Sequence, residues 1–318
     1  MSIVALSSRA YAGEADLECI SRFVNQCETS DGFDEITSVD ELSDEFATPG
    51  FDATRDLRLW FDEQGQLVVF GQLWASEENA HNDGFLWYKV APEWRNSDPE
   101  AELFSWATAR VREYGRTALS VVTRDNEPWR IAAYERYGFR AVRYFLRMRR
   151  MLDTPIEAPQ FPAGYTLVDG DHDPERWAEM YNASFIDHYN FHPATADKVR
   201  YWQQETDYRP DLNLVACAPD GSYAAFAWNT ISRAENNHTG LQNGHIGLLG
   251  TRRGYRRQGL GRAMLLASLQ RLAAIGMQSA SLGVDAESPT GATQLYTAAG
   301  FQEYLRRILY RRELSNQV

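Results

Sequence analysis

The spacing of apolar residues in the second half of the chain predicts alternating strands and helices. Apolar side chains recur every three or four positions over 174–185, as on one face of a helix, and alternate with small or polar ones over 280–284, as in a strand. Strand-like runs also occupy 165–168, 212–231 (a hairpin around a glycine-containing turn) and 245–251. This order of elements predicts an α/β domain.

Two further helices are predicted from the signals at their ends. One follows Gly259 and stops at Gly276, because glycine adopts the backbone conformation that ends a helix. The other is predicted to begin with Ser288 as N-cap and Pro289 in the first helical position, and to stop at Gly300. A final pair of strands would close the domain.

The chain also contains an internal repeat. The segment 134–152 resembles 296–314, with a shared Tyr-x-x-x-Gly-Phe motif and a shared pair of arginines, and the strand–turn–strand segment 56–72 resembles 211–228. This period is far longer than a solenoid unit, so it predicts two copies of one domain. The predicted domains are 1–152 and 153–318, joined by an acidic, proline-containing linker.

Composition narrows the class of protein. The three cysteines among 318 residues are odd in number and lack metal-type spacing, which favours a reducing compartment and argues against disulfides. A net charge of −12 disfavours binding to nucleic acid or an anionic membrane. Neither a secretory signal nor an apolar run long enough to span a membrane is visible, so we predict a cytoplasmic protein whose oligomeric state is open.

An arginine- and glycine-rich loop, "LGTRRGYRRQGLGRAML" (249–265), contrasts with this acidic background. A strand that runs through such a loop into a helix leaves the first helical N–H groups facing whatever lies in front of them, and this favours an anion. Gly259 and Gly261 would let the backbone approach a pyrophosphate closely. Charge for further phosphates would come from Arg252, Arg253, Arg256 and Arg257. A solvated basic loop before a helix is the alternative interpretation.

This loop resembles motif A of the GNAT superfamily of acyl-CoA N-acyltransferases, and "LGVDAESPTGATQLYTAAGF" (282–301) resembles the fifth strand and following helix of that family. The resemblance covers about 160–318. It implies an α/β fold of two tandem GNAT-like domains, each a mixed, mostly antiparallel twisted sheet flanked by helices. The tandem arrangement is similar to mycothiol synthase and other two-copy members.

The resemblance also implies roles for particular residues. Tyr296 corresponds to the tyrosine that protonates the departing thiolate, and His245 lies where a general base often sits. Ser288 departs from the family, which often has Asn there. The implied acetyl-CoA-binding residues are Leu249, Gly250 and Thr251 for the pantetheine amides, Arg256, Arg257, Gln258, Gly259, Leu260, Gly261 and Arg262 for the pyrophosphate, and Ser288.

The function that follows is acetyl transfer from acetyl-CoA, as co-substrate, to a primary amine of a small molecule or peptide. Two alternatives remain: a non-catalytic acyl-CoA-binding sensor, and a different nucleotide-binding protein that uses the arginine loop for phosphates. The segment 185–193 falls where the family binds its acceptor. His188 and His192 in it have the spacing of a metal pair, but Pro193 and the lack of a third ligand lead us to predict no metal.

The first copy differs at the loop. Asp98 and Glu100 stand where the second copy has Gly259 and Gly261, and two carboxylates are expected to repel a pyrophosphate. Asp98 as N-cap with Pro99 in the first helical position would start the helix without a ligand. We therefore predict a degenerate coenzyme loop in 1–152 and place coenzyme binding and catalysis in 153–318.

Overall fold

The computed structural model describes residues 6–76, 81–189 and 191–314. The chain divides into two compact units, one formed by Met1–Arg143 with Arg307–Val318 and the other by Tyr144–Arg306.

The first unit contains a sheet with helices around it. Its strands are β1 (Ser7–Ala10), β2 (Leu57–Phe61), β3 (Leu67–Trp74), β4 (Asp83–Val90) and β5 (Ala118–Arg124), and it also contains the end of β12 (Gln302–Glu313). Its helices are α1 (Leu17–Ser30), α2 (Val39–Phe46), α3 (Ala53–Asp56), α4 (Asp98–Glu113) and α5 (Pro128–Arg136). The strand order is β1-β2-β3-β4-β5-β12, in which the β4–β5 pair is parallel and the other pairs are antiparallel.

The second unit repeats this plan. Its strands are β7 (Thr166–Asp169), β8 (Asn213–Cys217), β9 (Tyr223–Thr230), β10 (Asn243–Thr251), β11 (Ser279–Asp285) and the end of β6 (Arg140–Met151). Its helices are α6 (Pro174–Phe185), α7 (Ala196–Trp202), α8 (Arg233–Thr239), α9 (Leu260–Ala274) and α10 (Ala292–Ala298). The order is β6-β11-β10-β9-β8-β7, and here the β10–β11 pair is parallel.

The last strand of each sequence half belongs to the unit formed mainly by the other half. In the second unit, 145–151 of β6 pair with β11, and in the first unit 307–313 of β12 pair with β5. Arg150 donates to the carbonyl of Ala299 at 2.7 Å, and Arg312 donates to the carbonyl of Tyr137 at 2.9 Å. The predicted domains 1–152 and 153–318 divide the sequence into two halves. The compact units divide it differently, because most of β6 belongs to the second unit and the end of β12 to the first.

Three local predictions need correction. The helix α10 begins at Ala292 after Gly291 (φ 72°), not at Pro289, because the N–H of Gly291 closes a turn onto the carbonyl of Ser288. The N-cap of α4 is Ser97, so Asp98 is the first helical residue. The predicted final pair of strands is one long strand, β12, whose apolar residues Ile308 and Tyr310 join the core of the first unit.

Helices on both faces of each sheet bury the apolar residues that the sequence pattern identified. In the second unit, one face of the sheet packs on α9 through Leu265, Leu269 and Leu272, and the other packs on α6 through Trp177 and Met180. No helix in the described part of the chain is both long and apolar enough to cross a membrane.

Candidate active site

In the second unit the pairing of β10 with β11 stops partway along β10, and we name the region between the two strands beyond this point the cleft. The two strands pair in parallel from Asn243 to Ile246 of β10, and a bulge between Ile246 and Leu248 follows. Beyond the bulge, the described pairing of β10 continues to Thr251 with β9 alone. The edge of β10 at 248–251 that faces β11 is therefore available to pair with an extended ligand, as in strand addition.

The helix α9 begins after the loop 252–259 that follows this edge. Its N-cap is Gly259 (φ 87°), and no side chain caps the helix. A Cβ at Gly259 would meet nothing within 4 Å, and one at Gly261 would make only ordinary contacts, 3.6 Å to Thr251 Oγ1 and 3.8 Å to Leu295. A helix N-terminus without a side-chain cap fits the pyrophosphate of an acyl-CoA, because its first N–H groups lack intrahelical partners and can bind an anion.

Gly250 is constrained for a different reason. A Cβ there would lie 2.5 Å from the ring of Phe226, so packing against β9 excludes a side chain. The side chains of Leu249 and Leu260 pack into the core, which leaves their backbone groups as the parts that can contact a ligand. Gln258 accepts a hydrogen bond from the Tyr165 hydroxyl at 3.2 Å, and Ser288 Oγ lies 2.9 Å from Thr290 Oγ1 in the turn before α10.

Most of the arginines around the loop are paired with carboxylates. Arg252 pairs with Glu179, Arg262 with Glu157, and both Arg253 and Arg256 with Asp187. Among the described residues no carboxylate pairs with Arg257, which is exposed and has a left-handed backbone (φ 66°). The positive charge that the sequence shows at this loop is therefore largely neutralised by acidic residues of the same unit.

Tyr296 lies on α10, with its ring against Phe301 and only 7% of the residue exposed. Burial raises the pKa of its phenol to about 12, because the charged phenolate is poorly solvated there. Within the described residues its hydroxyl has no hydrogen-bond partner. Tyr296 therefore stays protonated well above neutral pH, and its hydroxyl can act as a donor.

His245 lies near the start of β10, between Thr230 of β9 and Ser281 of β11. Its Nδ1 is 3.1 Å from the Ser281 hydroxyl oxygen, which also accepts a hydrogen bond from Asn243 Nδ2 at 2.9 Å. These contacts fix the orientation of the imidazole. Ser281 and Asn243 were not predicted from the sequence, although the alternation of Ser279 and Ser281 with apolar residues in β11 indicated a polar side of that strand.

His188 packs on Phe185, with ring centroids 4.3 Å apart, and burial lowers its pKa. The described residues contain no group of three or more His, Cys, Asp and Glu side chains that could hold a metal ion.

The equivalent place in the first unit is filled by its own side chains. Asn96 has the same left-handed backbone as Arg257 (φ 58°), but Glu100, at the position of Gly261, is fully buried. Its carboxylate pairs with Arg136 at 3.2 Å. Tyr134, the counterpart of Tyr296, donates its hydroxyl to the carbonyl of Val122 at 3.0 Å. The two features of the second unit, a glycine at this place in the helix and a phenol without a hydrogen-bond partner among the described residues, are thus replaced by internal contacts in the first unit.

Comparison with known proteins agrees with this geometry. Residues 175–301, which include the cleft, α9 and α10, match the model described as "Acetyltransferase (GNAT) family". This segment belongs to the GNAT family. Membership implies an acyl-CoA co-substrate.

The GNAT segment also has curated relatives. The chain is 31% identical to a mycothiol acetyltransferase of Thermobispora bispora over 178 residues, which is 55% of this chain and 59% of the relative. A mycothiol acetyltransferase of Stackebrandtia nassauensis is 27% identical over 80% of this chain and 81% of the relative. The first relatives are thus matched over about three fifths of their length.

Solved structures confirm the predicted fold of two tandem GNAT domains. A GCN5-related N-acetyltransferase from Sphaerobacter thermophilus superposes with a TM-score of 0.75 at 23% identity, covering 98% of this chain and 97% of that one. A tandem GNAT protein from the clavulanic acid biosynthesis pathway superposes with a TM-score of 0.73 at 16% identity, covering 99% and 100%.

Proposed function

We propose that the second unit is an acetyl-CoA-dependent N-acetyltransferase that acts on a primary amine. The observation that carries this proposal is that one unit combines three features: the free edge of β10, the uncapped N-terminus of α9 and the phenol of Tyr296. The backbone at 249–251 would pair with the pantetheine amides, and the first N–H groups of α9, with Arg257 beside them, would bind the pyrophosphate.

The chemistry needs one base and one acid. His245 removes a proton from the ammonium group, directly or through water, and the free amine attacks the thioester carbonyl carbon. As the C–S bond breaks, the Tyr296 hydroxyl gives its proton to the departing thiolate. The products are an N-acetyl amine and free coenzyme A, and no metal is required.

The first unit has a structural role in this proposal. The carboxylate of Glu100, which the repeat aligns with Gly261, is buried in the first turn of α4 and paired with Arg136, and we infer that its side chain as well as its charge excludes a coenzyme phosphate there. We therefore propose one coenzyme site for each chain.

The test is acetyl-CoA turnover by the full chain against a panel of primary amines, with thiol release as the readout. Amine precursors related to mycothiol come first in the panel because of the names of the relatives. We expect thiol release that depends on one class of amine. Coenzyme binding without turnover of any amine would favour the alternative of a non-catalytic acyl-CoA sensor, and binding of ATP in place of coenzyme A would contradict both.

A further inference from the structure

The carboxylate of Asp187 joins two loops of the second unit. Asp187 lies just after α6, in the described residues 185–189 and 191–193, which we name the acceptor loop. It accepts hydrogen bonds from Arg253 Nε at 3.1 Å and from a second nitrogen of Arg253, and from Arg256 Nη1 at 2.9 Å. Both arginines lie in the loop that leads to the N-terminus of α9, which we name the coenzyme loop.

Arg256 extends this connection to the framework of the unit. Its Nη2 donates to the carbonyl of Ser184 at the end of α6 (2.9 Å), and its Nε donates to the carbonyl of Thr251 at the end of β10 (3.2 Å). One guanidinium thus connects α6, the acceptor loop and the strand that borders the cleft. Because two of these contacts are to carbonyl groups, Arg256 would keep them if the carboxylate of Asp187 were removed.

We infer that Asp187 is a positioning residue with two effects, and this inference rests on the proposed function. Asp187 holds the acceptor loop on the coenzyme loop, and it competes with the phosphates of the coenzyme for Arg253 and Arg256. The two effects have opposite signs. Its contacts order the acceptor loop, which favours acceptor binding, while its negative charge opposes a second anion at the same arginines. A purely structural side chain would have only the first effect.

The neutral, nearly isosteric variant Asp187→Asn separates these effects. We expect its Kd for coenzyme A, measured by calorimetry at low salt, to fall about fivefold, and the difference to shrink as salt screens the charges. Hydrogen exchange of backbone amides in the acceptor loop should become faster, and KM for the best amine of the panel should rise. Asp187→Ser should behave in the same way.

Two variants provide controls. Asp187→Glu keeps the charge and should return coenzyme affinity towards the wild-type value. Asp211→Asn removes a carboxylate from another two-contact pair with an arginine, Arg209, and should leave coenzyme binding unchanged. Unchanged or weaker coenzyme binding by both neutral variants, with normal binding by the wild type, would overturn this inference alone. Failure of the wild type to bind coenzyme A would overturn the proposed function as well.

Discussion

At the scale of single residues, the proposed chemistry depends most directly on Tyr296. We expect Tyr296→Phe to lower kcat roughly 10²-fold while the Kd for coenzyme A changes little, because proton donation to the thiolate acts in the transition state. The phenol is the donor in its protonated form, and its pKa is raised to about 12. The kcat of the wild type should therefore show no decline from this group up to about pH 10. Equal losses in kcat and coenzyme affinity would identify Tyr296 as a packing residue instead.

Sequence motifs point to residues whose neighbours are close in the chain and miss pairings between distant residues. The places of Gly259 and Gly261 at the start of α9 and of Tyr296 on α10 were predictable because their neighbours lie within the same short motifs. The partners of the arginines could not, since Asp187 is 66 residues from Arg253 and Glu179 is 73 from Arg252. The roles of the site residues in coenzyme binding and catalysis stay predictions until they are measured.

At the scale of the element, α4 and α9 can be compared directly, because the repeat aligns Glu100 with Gly261 in the first turn of the two helices. Gly261→Glu gives α9 the carboxylate that α4 already contains, and we expect coenzyme affinity to fall at least about 100-fold through steric and charge exclusion. The fold should persist, as it does around Glu100. Calorimetry gives the affinity, and circular dichroism gives the fold.

Gly261→Ala is the matched control for that variant, since a methyl group at this position makes only contacts of ordinary length. It should retain more coenzyme affinity than the glutamate variant and melt at the same temperature or slightly higher. Coenzyme binding by Gly261→Glu at wild-type strength would contradict the assignment of the N-terminus of α9 to the pyrophosphate.

Element boundaries were predictable where periodicity and end signals agree. The helix predicted over 174–185 is α6 with the same bounds, and the strand predicted over 245–251 lies within β10. The predicted start of α10 at Pro289 was wrong because Ser288 and Pro289 also suit a turn, and Gly291 closes that turn before the helix begins.

At the scale of the whole molecule, β6 and β12 each pair with a strand of the unit formed mainly by the other half of the sequence, and we name this arrangement the exchange. Local sequence patterns could not predict it. Both strands read as ordinary apolar–polar alternations, and nothing in that alternation says which neighbour each strand pairs with. The contact from Arg150 to Ala299 spans 149 residues, and the one from Arg312 to Tyr137 spans 175. The repeat relates these two contacts to each other.

The exchange leads to a prediction that runs against sequence proximity. Arg150 belongs to the first half of the sequence, yet it holds the end of α10, three residues beyond Tyr296, whereas Arg312 holds the end of α5 in the first unit. We expect Arg150→Ala to lower kcat/KM several-fold, because α10 loses the donor that fixes its last turn. Arg312→Ala should leave kcat/KM within about twofold of the wild type.

Each variant should lower the free energy of unfolding by about 1–2 kcal/mol, since each removes a charged hydrogen bond. Steady-state kinetics and urea unfolding of the full chain measure both quantities. A larger kinetic loss for Arg312→Ala than for Arg150→Ala would mean that the end of β6 does not support the catalytic unit.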